Sequence, residues 1–144
     1  MNLKQIVPLL LAPIFSSIAG FAQCNKSVSL TASKTEYLDA SMAVQRTVEE
    51  KTVIEISDSV ITIVPGNEAN KMTGKIVSKA CQWAVPYKEG KSQIKAALQD
   101  GSGDTKNVTF SIEGKDGKVT FLAEVDDMPD QKVRVAVDTF EAKK

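Results

Sequence analysis

The sequence predicts an all-β fold: an antiparallel up-and-down meander of about seven to nine strands, closing as a barrel or packing as a sandwich. Three observations carry this. Short runs rich in Val, Ile, Thr and Phe alternate apolar with polar residues, the period of a half-buried strand. Clusters of Gly, Pro, Asn, Asp and Ser separate the runs at spacings of roughly 8–12 residues. The connections are tight, which favours neighbour-to-neighbour order over Greek-key crossovers.

Residues 1–22 stand outside the meander. Lys4 is the single charge, residues 6–21 are mostly apolar, and Gly20-Phe21-Ala22 places small residues at −3 and −1 of a cleavage point. This is the layout of a secretory signal peptide cut after Ala22. The apolar stretch is about 16 residues, short of the roughly 20 that a spanning helix needs. Pro8 and Pro13 interrupt it. Residues 23–144 then form a single antiparallel β domain, large enough to bury a core.

Within it, 27–31 alternates as Ser-Val-Ser-Leu-Thr. The β-branched runs 51–56 and 60–64 flank Ser57-Asp58-Ser59 as a hairpin, and Pro65-Gly66-Asn67 ends the second run. A longer strand is expected over 71–83, with Gly74 marking a bend or bulge. In 91–99, Ile94, Ala96 and Leu98 share one face, although Ala96-Ala97-Leu98 also suits a helix. Runs 107–113 and 118–125 alternate around Gly114-Lys115-Asp116-Gly117, the clearest hairpin in the chain. The run 132–139 closes the domain with Val133, Val135 and Val137 on one face. Segment 36–50 reads either as an irregular strand pair around Asp39-Ala40-Ser41 or as a short helix.

Composition narrows the function. Lys and Arg number 18, Asp and Glu 18, and losing Lys4 with the signal leaves one net negative charge. Such a balance gives no electrostatic case for nucleic acid or an anionic membrane surface. The chain has no His. That removes Ser-His-Asp and Cys-His nucleophile systems and His-based zinc or copper sites. Asp100-Gly101-Ser102-Gly103-Asp104 begins like a calcium loop, but Thr105 stands where Gly is needed and Ser111 where Glu is needed. A solvated turn fits better. Asp126, Asp127 and Asp130 likewise read as a polar turn. Glu55, Glu113 and Glu124 fall on the solvent face, so no carboxylate pair is set in a cleft. The expectation is a non-enzymatic protein with no cofactor and no metal.

Both cysteines, Cys24 and Cys81, lie in the exported part. An oxidising compartment makes a disulfide the default for such a pair. It would close a loop of about 58 residues, worth roughly 4 kcal/mol in the chain-entropy model. The alternatives are two free thiols, or a lipidated Cys24 beside a buried Cys81, but the residue before Cys24 is Gln23 rather than the small one lipidation calls for. Trp83 and Tyr87 are the only aromatic pair near a loop. Trp83 either packs on the Cys24–Cys81 bridge as core or lines the mouth of a pocket with Tyr87, and both are kept as candidate ligand-binding residues.

An export signal, a meander of about this length and a long mid-chain strand together resemble the small exported lipocalin-like (calycin-like) proteins of Gram-negative bacteria. The resemblance is architectural. The Gly-x-Trp signature of lipocalins is missing, and the single Trp lies mid-chain in Cys81-Gln82-Trp83. It implies a barrel whose small inward residues leave room for an apolar small molecule. The expected function is therefore a secreted protein, periplasmic or extracellular, holding such a ligand. The alternative is an envelope-associated structural or protein-interaction module.

Overall fold

A computed structural model describes residues 24, 26–99 and 102–143. The stretch 1–22, read above as a signal peptide, lies outside the described residues, as do Asp100 and Gly101 of the acidic turn. Eight strands follow one another: β1 (Val28–Leu38), β2 (Val44–Ile56), β3 (Val60–Pro65), β4 (Met72–Val85), β5 (Glu89–Gln99), β6 (Thr105–Lys115), β7 (Lys118–Val125) and β8 (Met128–Ala142). Each pairs antiparallel with the next, and β8 returns to β1, so the meander closes as a barrel and not as a sandwich.

Local chemistry explains the turns. Asp116 and Gly117 both adopt positive φ, 54° and 78°, which makes the β6–β7 connection a two-residue turn whose twist matches its strands. Of the two readings of 36–50, the strand pair is the one that forms: Tyr37 lies opposite Arg46, and the Asp39 carboxylate organises the turn between them. Ala96-Ala97-Leu98 is extended. Its register with Asn107, Lys106 and Val108 on β6 overrides its helical propensity. Gly74 marks no bulge. It stays in register with Ile61 and Leu98, and the irregularities fall after Ile76 and after Trp83. What Gly74 supplies is space, because a Cβ there would sit 3.1 Å from Leu98 Cδ1 and 3.2 Å from Ile61 Cγ2.

The apolar face of every strand turns inward. Leu30, Ile54, Ile61, Ile94, Phe110 and Ile112 are fully buried at the centre. One stretch of the wall is short of ladder bonds. The β3–β4 ladder covers only 60–63 against 72–75, so β4 runs on past the end of β3. There Cys24, at the N-terminal end of the described residues, closes in. Cys24 is bonded to Cys81 with their Cα atoms 5.7 Å apart. Lys79 Nζ donates to the carbonyls of Cys24 at 2.9 Å and Ser57 at 3.1 Å. Burial pulls the Lys79 amine below its usual value, and the nearby charge of Asp58 opposes this.

Candidate functional site

Because the strands alternate in direction, the C-terminal ends of β1, β3, β5 and β7 meet the N-terminal ends of β2, β4, β6 and β8 at one mouth. Inside this mouth lies a cavity of about 360 Å³. Its floor is formed by Ile54, Ile63, Phe110, Phe121 and Val135, with the Phe110 and Phe121 rings 5.4 Å apart. Pro65, Met72, Leu98, Val125 and Val133 continue the wall upward, and Ala123 leaves width. The volume falls within the roughly 300–1,000 Å³ typical of small-molecule pockets.

The β1 side of the wall depends on a register irregularity. Between Ala32 and Lys34 the β1–β2 pairing shifts, so the inward set moves from Val28, Leu30 and Ala32 to Thr35 and Tyr37. Thr35 and, across the same strand pair, Thr52 both line the cavity while being only 3 % and 4 % exposed. The hydroxyl of each has no hydrogen-bond partner. A buried hydroxyl left in this state costs about 1–3 kcal/mol.

Charge is confined to the rim, where Glu50, Asp104 and Lys106 line the cavity. Lys106 Nζ approaches Met128 Sδ at 3.9 Å. The Arg46 guanidinium stacks 4.2 Å over the Tyr37 ring and fixes that side of the mouth. The adjoining turn is held by Asp39, whose Oδ1 accepts from Ser41 N, Ser41 Oγ and Ala43 N and whose Oδ2 accepts from Gln45 Nε2. The bond from the Ser41 hydroxyl, followed by that from the Ala43 amide, holds the Asp39 carboxyl below its usual range.

The opposite end is filled. Trp83, 2 % exposed, donates from Nε1 to Ser92 Oγ at 2.7 Å. Its ring packs edge-on against Phe140, with centroids 5.6 Å apart, and Tyr87 also packs edge-on against Phe140 at 4.9 Å. Trp83, Gly90 and Gly114 stand in one row across β4, β5 and β6. A Cβ on Gly114 would come within 2.9 Å of Trp83 Cζ3, and one on Gly90 would overlap the Trp83 backbone. The two glycines thus make the slot in which the indole lies. Cys24, Cys81 and Phe140 border one small crevice of about 20 Å³ at this end. Tyr87 takes a left-handed backbone, φ 65°, in the β4–β5 turn above it.

Of the residues singled out from sequence, Cys24 and Cys81 are therefore brought together, and so are Trp83 and Tyr87, through Phe140. Neither aromatic lines the cavity, which opens at the other end of the barrel. None of the residues that do line it was singled out as a binding residue, although alternation had already put Leu98, Val133 and Val135 among those sharing one face of their strands. Lys106 and Glu50 were within reach of a parity argument, since they continue the inward series of Val108-Phe110-Ile112 and Thr52-Ile54-Ile56. Thr35 was not, because the β1 irregularity breaks the count. Glu55 and Glu124 lie outside, paired with Lys143 and Lys132. No family model, no curated protein and no solved structure matches this chain.

Proposed function

We propose that this protein is an exported, non-enzymatic barrel that holds a small apolar ligand in the cavity at its open end, in the manner of lipocalin-like proteins. The cavity carries the reading. It is about 360 Å³, walled by aliphatic and aromatic side chains, and open at one mouth. Contacts to the ligand then come from residues such as Ile54, Phe110, Val125 and Val133, while Trp83 and Tyr87 support the barrel from below. The disulfide supports an oxidising location, periplasmic or extracellular. With its sulfur in that bond, Cys24 has none to give to a lipid. Among the described residues no helix is long and apolar enough to cross a membrane. The outward positions of β5 and β6 include Lys91, Gln93, Lys95, Asn107 and Glu113, the reverse of a membrane-spanning barrel's lipid-facing band.

Diphenylhexatriene, a hydrocarbon that fluoresces when removed from water, tests the reading. The purified protein is expected to bind it saturably, one per chain. Ala123→Trp, which fills the cavity, is expected to abolish the signal while leaving the β-sheet circular dichroism intact. Absence of binding by the unsubstituted protein would contradict the proposal.

A second reading, a protein-interaction module, is favoured by one observation. Where β4 passes the end of β3, Val77 is 73 % exposed beside a ladder that stops at Lys75. If that reading holds, Val77→Lys weakens a partner or self-association measurable by sedimentation, and diphenylhexatriene binding is unaffected.

A further inference from the structure

We infer that the cavity selects a neutral amphiphile, an apolar chain or ring system bearing a hydroxyl or carbonyl, and receives that oxygen at Thr35 and Thr52. The inference rests on the cavity reading above and names the class of ligand. Thr35 on β1 and Thr52 on β2 are more than nine-tenths buried, line the cavity and leave their Oγ1 atoms without partners. Buried hydroxyls in folded proteins are almost always hydrogen-bonded. Two such groups on adjacent strands of one apolar cavity make a polar wall facing a greasy one, with Ile63, Phe110 and Phe121 among the apolar residues. A Thr hydroxyl both donates and accepts, so a ligand alcohol or carbonyl can bond to either.

The charge of that group follows from its surroundings. Thr52 sits one inward step from Ile54 on the floor side and from Glu50 on the rim side. A carboxylate placed at the threonines would be desolvated with only neutral partners and would lie close to Glu50. Among the charged residues that line the cavity, one is a cation, Lys106, and two are acids, Glu50 and Asp104, while the Arg46 guanidinium at the mouth is stacked on Tyr37. A buried ion without a counter-charge is strongly disfavoured. An uncharged oxygen meets neither penalty.

Competition against diphenylhexatriene separates the outcomes, with decanol, decanoate and decane as competitors. Decanol is expected to displace the probe at concentrations at least about tenfold below decanoate. Thr35→Val and Thr52→Val each weaken decanol about fivefold and change decane less than about twofold, the size of one neutral hydrogen bond. Thr52→Ser, which keeps the hydroxyl, retains decanol binding and guards against a folding artefact. Decanol binding unchanged in both Val variants, with the probe still bound, would overturn the inference and leave the cavity reading standing. So would preference for decanoate. Failure of the unsubstituted protein to take up the probe at all would overturn the cavity reading and this inference with it.

Discussion

The two ends of this barrel are made from the same eight strands with the same in–out alternation, yet one is packed and the other hollow. At the closed end the inward positions carry Trp83 and Phe140, two glycines that let the indole lie flat across three strands, and a disulfide. Every polar group there that matters has a partner: the indole N–H finds Ser92, and Lys79 finds two carbonyls. At the open end the inward positions include the small residues Thr35, Thr52, Ala123, Val125 and Val133, which leave the space above Phe110 and Phe121 unfilled, and two hydroxyls stand unpaired. The difference teaches that a closed meander does not decide by itself whether it encloses a core or a pocket. Side-chain volume at each level decides it.

This contrast can be broken at its strongest point first. Trp83→Ala removes the plug and is expected to destabilise the protein by about 3–5 kcal/mol in urea unfolding, as for a buried aromatic. A deletion at the open end, Val133→Ala, is expected to cost only about 1 kcal/mol, because one side of Val133 already faces open space. Equal losses at the two ends would dissolve the distinction. Removing the bridge by Cys24→Ser with Cys81→Ser is expected to cost about 3 kcal/mol.

How far the sequence could take this argument differs between the two ends for a physical reason. Alternation over β5 to β7, and over β8 as far as Val137, was readable because those stretches keep a period of two, and the Asp116-Gly117 turn announces its own geometry. The Cys24–Cys81 bond followed from compartment and parity of number. What alternation cannot carry is a change of phase. The shift after Ala32 turns Thr35 inward, and the β8 shift between the partners of Thr31 and Ala32 brings Phe140 inward three residues after Val137. The Trp83–Gly90–Gly114 row depends on register across three strands, which no single run of residues encodes. The sequence therefore pointed to Trp83 and Tyr87 as aromatic contacts, while the cavity lies at the other mouth, where its aromatic residues are Tyr37, Phe110 and Phe121.

Smaller effects sharpen the comparison at the open end. Thr35→Val and Thr52→Val are each expected to raise the stability of the ligand-free protein by about 1 kcal/mol, since each replaces an unpaired buried hydroxyl with a methyl group. The same exchange at Ser92, whose hydroxyl accepts from the indole, is expected to destabilise. The smallest effect is electrostatic. Asp39 is held below its usual value of 3.8 by its turn bonds, so its folded form binds a proton less readily than its unfolded form. Its contribution is present above 3.8 and is lost as pH falls through the lower folded value. Amide exchange in the 39–43 turn is expected to rise in that acid range, and Asp39→Asn is expected to remove the pH dependence. A midpoint at or above 3.8 would contradict it.

The central claim, that the open end is a ligand cavity and the closed end its structural support, is tested most directly by methyl-resolved NMR during titration with decanol. Saturable shifts are expected at Ile54, Ile63, Val108, Val125, Val133 and Val135, which line the cavity. Val28, Ile56 and Ile94, which border the crevice at the filled end, are expected to stay still. Shifts at those three instead, or no saturable shift at either end, would contradict the account.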